Sequence, residues 1–243
     1  MPTAKNQTRS KTTALTSRTM AMRTRRTQKK SQKRNIQVIG ITGASASGKS
    51  TFAEKLEQIL GKDKCVLISQ DNFYKPAKAQ RPDGDASKIN WDVPNAIDYE
   101  AFNKVVNDLK RTGKAKQPNY SFAISDVYGY TNIELKPTAC YIIVEGIFAM
   151  NNEELFNSMD LRVFIDTSAD LCLARRIKRD VEHRGASVDS TISQYIRDVR
   201  PGYFKYIAPK KELCDMIVPN DLPDQYQRSL TVVANYLKNA CNA

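Results

Sequence analysis

Residues 43–51 read Gly43-Ala44-Ser45-Ala46-Ser47-Gly48-Lys49-Ser50-Thr51, a G-x-x-x-x-G-K-S loop with the spacing needed to cradle phosphate. The two glycines let successive backbone N–H groups converge on phosphate oxygens. Lys49 can reach the β- and γ-phosphates, and the Ser50 hydroxyl can ligate Mg²⁺. Asp71 and Glu145 are carboxylates that could act beside such a loop. One can serve as base towards an attacking hydroxyl, and both can hold Mg²⁺ directly or through water. Arg175, Arg176, Arg179 and Arg184 supply guanidinium groups able to stabilise phosphoryl charge. His183 is the single histidine, which excludes a multi-His metal site; it reads as an exposed residue.

These residues need rigid elements to position them. Ile36–Ile41 is a β-branched run fit for a buried parallel strand that feeds the glycine loop. Phe52, Leu56, Ile59 and Leu60 recur at helical spacing after it, with Gly61 as C-cap. Cys65–Ser69 reads as a second buried strand delivering Asp71, and Tyr141–Val144 as a third delivering Glu145. The polar stretch 75–88 reads as an exposed loop. Tyr99, Phe102, Val105, Val106 and Leu109 mark an amphipathic helix closed by Gly113, and residues 117–136 suggest a hairpin beside the main sheet. A fourth strand at Leu161–Ile165 precedes a basic helix through Arg175, Arg176 and Arg179, with a hinge at Gly185. A further helix passes Ile192 and Tyr195, then come a short strand at Met216–Val218 and a closing helix. Strands alternating with helices predict an α/β fold, a mainly parallel sheet covered on both faces, with ligands at the C-terminal strand ends.

The chain has 243 residues and a formal charge of +12. Residues 1–34 hold eleven Lys/Arg, eleven Ser/Thr and no acid, so 35–243 is nearly neutral. The basic segment has too few large apolar residues to build a core, and disorder is expected. Its composition leaves three readings open: a mitochondrial transit peptide, a nuclear signal or nucleic-acid contact, and a solvated tail. The five scattered cysteines form no C-x-x-C motif, which suggests a reduced protein without structural zinc. The apolar runs are too short to span a bilayer.

Asn90-Trp91-Asp92-Val93-Pro94 sets the single Trp beside a carboxylate in a loop, and Tyr120 follows in the hairpin region. Aromatics stack on a base and a carboxylate can accept from two ribose hydroxyls, although loop packing is the plainer reading of Trp91 alone. With G-A-S-A-S-G-K-S-T, S-Q-D-N-F-Y, N-W-D-V-P-N-A-I-D, Q-P-N-Y-S-F, I-I-V-E-G-I-F, the segment from Phe164 to Gly185 and S-Q-Y-I-R-D-V-R-P, the chain over roughly 35–240 resembles the uridine–cytidine kinases. These are P-loop nucleoside kinases related to phosphoribulokinase. The resemblance implies a P-loop NTPase-type sheet with a hairpin for the substrate and an Arg-rich helical lid. It implies Asp71 as catalytic base, with Lys49 and Arg179 assisting. Ser50, Asp71 and Glu145 fall on the Mg²⁺ positions, and residues 43–51 with Arg179 and Arg184 on those that bind ATP. Asp92, Tyr120, Ser125, Arg176 and Gln194 fall on nucleoside-pocket positions.

Two positions depart from the family pattern: Ser125 stands where a His is usual, and Ala186 where an Arg is usual. The expected reaction is phosphorylation of uridine or cytidine to the 5′-monophosphate by ATP, or by GTP as alternative donor, in pyrimidine salvage. The alternatives are a kinase for nicotinamide riboside, ribulose phosphate or pantothenate, and a divergent P-loop ATPase touching nucleic acid through its tail. The last lacks support, since there is no N-K-x-D motif and Gly146, not an acid, follows Glu145. A cytoplasmic homo-oligomer, a tetramer by resemblance, completes the expectation; residues 1–34 leave nuclear or mitochondrial placement open.

Overall fold

Alternating β-branched residues buried on both sides explain the central sheet. In a computed structural model describing residues 36–242, β1 (Gln37–Gly43), β2 (Cys65–Ser69), β5 (Tyr141–Glu145), β6 (Leu161–Asp166) and β7 (Met216–Pro219) form one parallel sheet in the order β2-β5-β1-β6-β7. Successive side chains enter opposite cores. Ile39, Ile41, Tyr141 and Ile143 meet Phe52, Leu56 and Leu60 of α1 (Lys49–Leu60) and Leu230, Val233 and Leu237 of α8 (Pro223–Asn242). Val38, Ile142 and Val144 meet Phe102, Val105, Val106 and Leu109 of α3 (Tyr99–Thr112). The α3 helix starts where Asp98 accepts the Ala101 N–H (3.0 Å), and it stops at Gly113, as expected from the sequence.

The predicted hairpin is present as a separate two-stranded sheet, β3 (Lys114–Ser121) with β4 (Asp126–Glu134), beginning three residues earlier than expected. The stretch 75–88 is not a plain loop. It contains α2 (Ala77–Gln80), tied to the hairpin turn by the Ala77 N–H donating to the Ser125 carbonyl (2.9 Å), and a 3₁₀ turn at Ala86–Lys88. After α4 (Glu153–Asn157), α5 (Ala169–Arg184) carries the arginines and ends at Gly185. The next helix, α6 (Val188–Gln194), continues through π-helical Tyr195–Val199, α7 (Arg200–Gly202) and π-helical Tyr203–Ile207 into a 3₁₀ segment. Pro201 stops a periodicity argument at that point, yet the helical path runs on through it, with π-helical turns on either side where a proline cannot donate to the ladder.

The cysteine expectation needs correction. Cys140, just before β5, and Cys241, at the end of α8, form a disulfide with Cα atoms 6.0 Å apart. No spacing rule could pair residues 101 positions apart; they meet because α8 runs back along the sheet to the start of β5. Cys65, Cys172 and Cys214 are free. Denaturing thiol titration is expected to find three reactive thiols without reductant and five after reduction; five in both would remove the bond. The basic segment 1–34 and the readings attached to it lie outside the described residues. Among these residues no helix is long and apolar enough to cross a membrane.

Candidate active site

The glycine loop leaves β1 and enters α1 through Gly48, whose φ of +95° is a left-handed conformation. A Cβ at Gly48 would also lie 2.4 Å from Asn220 Nδ2. Asn220, after β7, donates that amide to the Ser47 carbonyl (2.7 Å), and Thr167, after β6, donates its hydroxyl to the same oxygen (2.9 Å). Two strand ends therefore hold the loop from outside. The first turn of α1 has no acidic residue, so its N–H groups and positive dipole end stay available to an anion. Lys49 is buried. Ala46, Gly48, Lys49, Ser50 and Thr51 line a cavity of about 680 Å³, with Arg175 and Arg179 of α5 and Lys55, Asp224, Tyr226 and Gln227 on its far side. That volume lies in the range of sites for small molecules and cofactors.

Parallel register places Ser69 of β2 beside Glu145 of β5. Glu145 is buried and accepts from the Ser69 hydroxyl (2.5 Å) and the Ser50 hydroxyl (3.0 Å). Burial raises the Glu145 carboxyl above the ordinary range; nearby Lys49 opposes the rise, and Asp71 adds to it. Asp71 is the second residue of a 3₁₀ turn (Gln70–Phe73), where its N–H donates to the capping Ser69 side chain. Gln70 fixes that turn from below. Its Oε1 accepts the Phe148 N–H (2.8 Å), and a Cβ on Gly146 would come within 2.3 Å of the Gln70 Cβ. Glycine after Glu145 thus lets the two strand ends close on each other.

Asp71 and Lys49 also line a second cavity of about 140 Å³, with Asp92, Tyr120, Ser125, Arg176, Arg179, Arg184 and Gln194. Tyr74, Trp91 and Phe122 complete its aromatic side, with ring centroids 5.3–6.4 Å apart. Trp91 also donates to the Ala86 carbonyl (3.2 Å), so it both packs the loop and lines the cavity. Asp92 is buried, and desolvation raises its carboxyl while Arg176 opposes the rise. Tyr120 is buried, and its hydroxyl has no hydrogen-bond partner among the described residues. Ser125 sits in the hairpin turn with φ +50° and its hydroxyl directed to the Phe122 carbonyl (3.4 Å). Within this cavity Arg176 joins the glycine loop to the helix after α5, donating to Ser45 Oγ (2.8 Å) and Gln194 Oε1 (2.9 Å).

Most of the sequence-predicted residues therefore line two adjoining cavities, while Gly43, Ala44, Ser47 and Glu145 line neither. Arg184, which the resemblance places at the nucleotide phosphates, lines the smaller cavity and not the larger, with its guanidinium 4.6 Å from the Phe122 ring centre. Burial and neighbouring Arg179 lower its pKa. Arg179 lines both cavities. Sequence reasoning missed Ser69, Gln70, Tyr74, Phe122, Asn220 and the far side of the larger cavity. Only the aromatic run around Tyr74 and Phe122 left a local signal.

A metal at this site would meet oxygen donors, namely Ser50, Glu145 and Asp71. Among the described residues no three His, Cys, Asp or Glu side chains gather into a cluster. A buried carboxylate already bonded to the loop hydroxyl suits a hard cation that keeps waters and phosphate oxygens as its other ligands.

A family model described as Phosphoribulokinase / Uridine kinase family matches residues 38–226. The chain is 37% identical over 207 residues to the uridine kinase of Borrelia duttonii, covering 84% of this chain and 95% of that protein. It is 40% identical over 193 residues to uridine-cytidine kinase A of Dictyostelium discoideum, covering 76% of this chain but spanning only 36% of that protein. Phosphoribulokinase from Rhodobacter spheroides shares the fold with a TM-score of 0.54 at 17% identity, over 79% of this chain and 74% of that one. On this match and these identities the chain belongs to the phosphoribulokinase/uridine kinase family.

Proposed function

We propose that this chain is an ATP-dependent nucleoside kinase acting on the 5′-hydroxyl of uridine or cytidine, a step of pyrimidine salvage. The observation that carries the reading is that Lys49 and Arg179 line both the cavity at the glycine loop and an adjoining aromatic cavity that contains Asp71 and the buried Asp92. Residues 43–51 hold the triphosphate, and Asp71 takes the proton of the attacking hydroxyl. Lys49 and Arg179 neutralise charge on the transferring group, with Arg184 brought over from Phe122. Asp92 accepts from the ribose hydroxyls. Tyr120 lines the base region, while Arg176 and Gln194 brace the pocket between loop and lid. Ser50, Asp71 and Glu145 would hold Mg²⁺, which would neutralise charge on the phosphate oxygens when bound. The names of the relatives favour uridine and cytidine.

Ser125 supports a second reading within the same chemistry, a riboside acceptor other than these two. Labelled ATP offered with uridine, cytidine, nicotinamide riboside, pantothenate and ribulose phosphate distinguishes the readings by which product forms. Absence of turnover with all five would overturn the kinase assignment. Ser125→His is expected to lower the uridine KM about 2–10-fold, the worth of one added hydrogen bond. The turn conformation at φ +50° is one histidine tolerates. An unchanged or higher KM would mean that position 125 does not face the base.

A further inference from the structure

Three arginines of α5 converge on one carboxylate. Asp180 is 4% exposed. Its Oδ1 accepts Arg179 Nε (2.9 Å) and lies 3.5 Å from Arg184 Nη1, and its Oδ2 lies 3.4 Å from Arg176 Nε. Surface ion pairs on helices contribute little, but this carboxylate is out of water and shared. Asp180 lines neither cavity; the arginines around it do.

The three guanidinium groups depend on Asp180 unequally. Arg176 is also held by Ser45 and Gln194, and Arg184 rests on the Phe122 ring. Arg179 has, among the described residues, no hydrogen-bond partner except Asp180. Its Nη2 is buried 2.9 Å from the same oxygen, so Asp180 holds the Nε/Nη2 edge, and Nη1 has no hydrogen-bond partner among the described residues. Arg179 is also the α5 arginine that lines both cavities. The Asp180 carbonyl accepts the N–H groups of Gly185 and Ala186, so the same residue closes α5.

We propose that Asp180 is a positioning residue: it fixes the plane of the Arg179 guanidinium so that the free edge faces the group in transfer between the two cavities. A planar fork anchored at Nε leaves its Nη donors in a fixed direction, which a flexible arginine would have to find in each turnover. The proposal rests on the kinase reading, and the test separates the two.

Steady-state kinetics of the full chain with ATP and uridine are compared for wild type, Asp180→Asn, Asp180→Glu, Arg179→Met and the Arg179→Met/Asp180→Asn double variant, with melting temperatures measured in parallel. Asp180→Asn is expected to lower kcat about 10–100-fold, the worth of a charge-assisted hydrogen bond, with both KM values within about threefold. Asp180→Glu, which keeps the charge, is expected within about threefold of wild type. The double variant is expected to match Arg179→Met within about threefold, because Asp180 has nothing left to aim. This last comparison also covers the case in which Asp180→Asn alone folds poorly, since the double variant removes one cation along with the carboxylate. Unchanged kcat in a folded Asp180→Asn, or losses that multiply in the double variant, overturns the assignment. Absence of wild-type turnover overturns the kinase reading and this proposal with it.

Discussion

Asp71→Asn is expected to lower kcat by about 10²–10⁴-fold, the usual contribution of a positioned general base. The substitution is nearly isosteric, and the Asp71 turn is held by groups it leaves alone. The Ser69 hydroxyl accepts the Asp71 backbone N–H, and Gln70 is bonded to Phe148. Folding and the glycine loop are therefore expected to survive, with ATP affinity within about threefold of wild type. Asparagine cannot take a proton, so the loss falls on the chemical step. Single-turnover measurements with saturating uridine, alongside equilibrium binding of a fluorescent ATP analogue, separate the two quantities. Wild-type turnover would show that another group, or solvent, receives the proton. A matched loss in ATP affinity would assign Asp71 to metal binding alone.

What the sequence reveals of this site depends on distance along the chain. The loop at 43–51 is contiguous, and its strand and helix carry their periodicity on either side, so the boundaries at Lys49 and Gly61 are readable. Asp71 and Glu145 are legible because buried parallel strands stand out as short apolar runs whose polar successors must emerge at one sheet edge. Ser69 is not legible in the same way. Its contact with Glu145 follows from strand register, a tertiary property that no local pattern encodes. The disulfide and the Asn220 brace on the loop fail for the same reason, being 101 and 173 residues apart in sequence. Asp180 was visible only as one acid in a basic helix. Its role emerges once burial shows that three arginines share it. For Arg184 a motif position is legible, but the packing of its guanidinium on Phe122 in the smaller cavity is again a tertiary contact.

Glu145→Gln is expected to cost about 10²–10³-fold in kcat at ordinary Mg²⁺ concentrations, comparable to losing another preorganised charge-stabilising group. The fold should tolerate it. A glutamine carbonyl can still accept from Ser69, and its amide can donate to Ser50, so neither strand end is left with a buried unsatisfied group. What disappears is the second carboxylate oxygen that a cation could bind; Lys49 and the Ser69 and Ser50 hydroxyls oppose the rise that burial imposes on this carboxyl. Metal dependence and thermal shift read out that loss separately from folding. In the wild type, Mg²⁺ with ATP at about 100 times Kd adds about 2.7 kcal/mol to stability, worth roughly 5–11 °C in a protein of this size. The variant is expected to keep the shift that ATP gives without Mg²⁺ and to lose the increment that Mg²⁺ adds, while half-saturation by Mg²⁺ in turnover moves at least tenfold higher. If the increment persists at wild-type Mg²⁺ concentrations, the cation is held by Ser50 and Asp71 without Glu145. The buried carboxylate would then serve only to join β2, β5 and the loop.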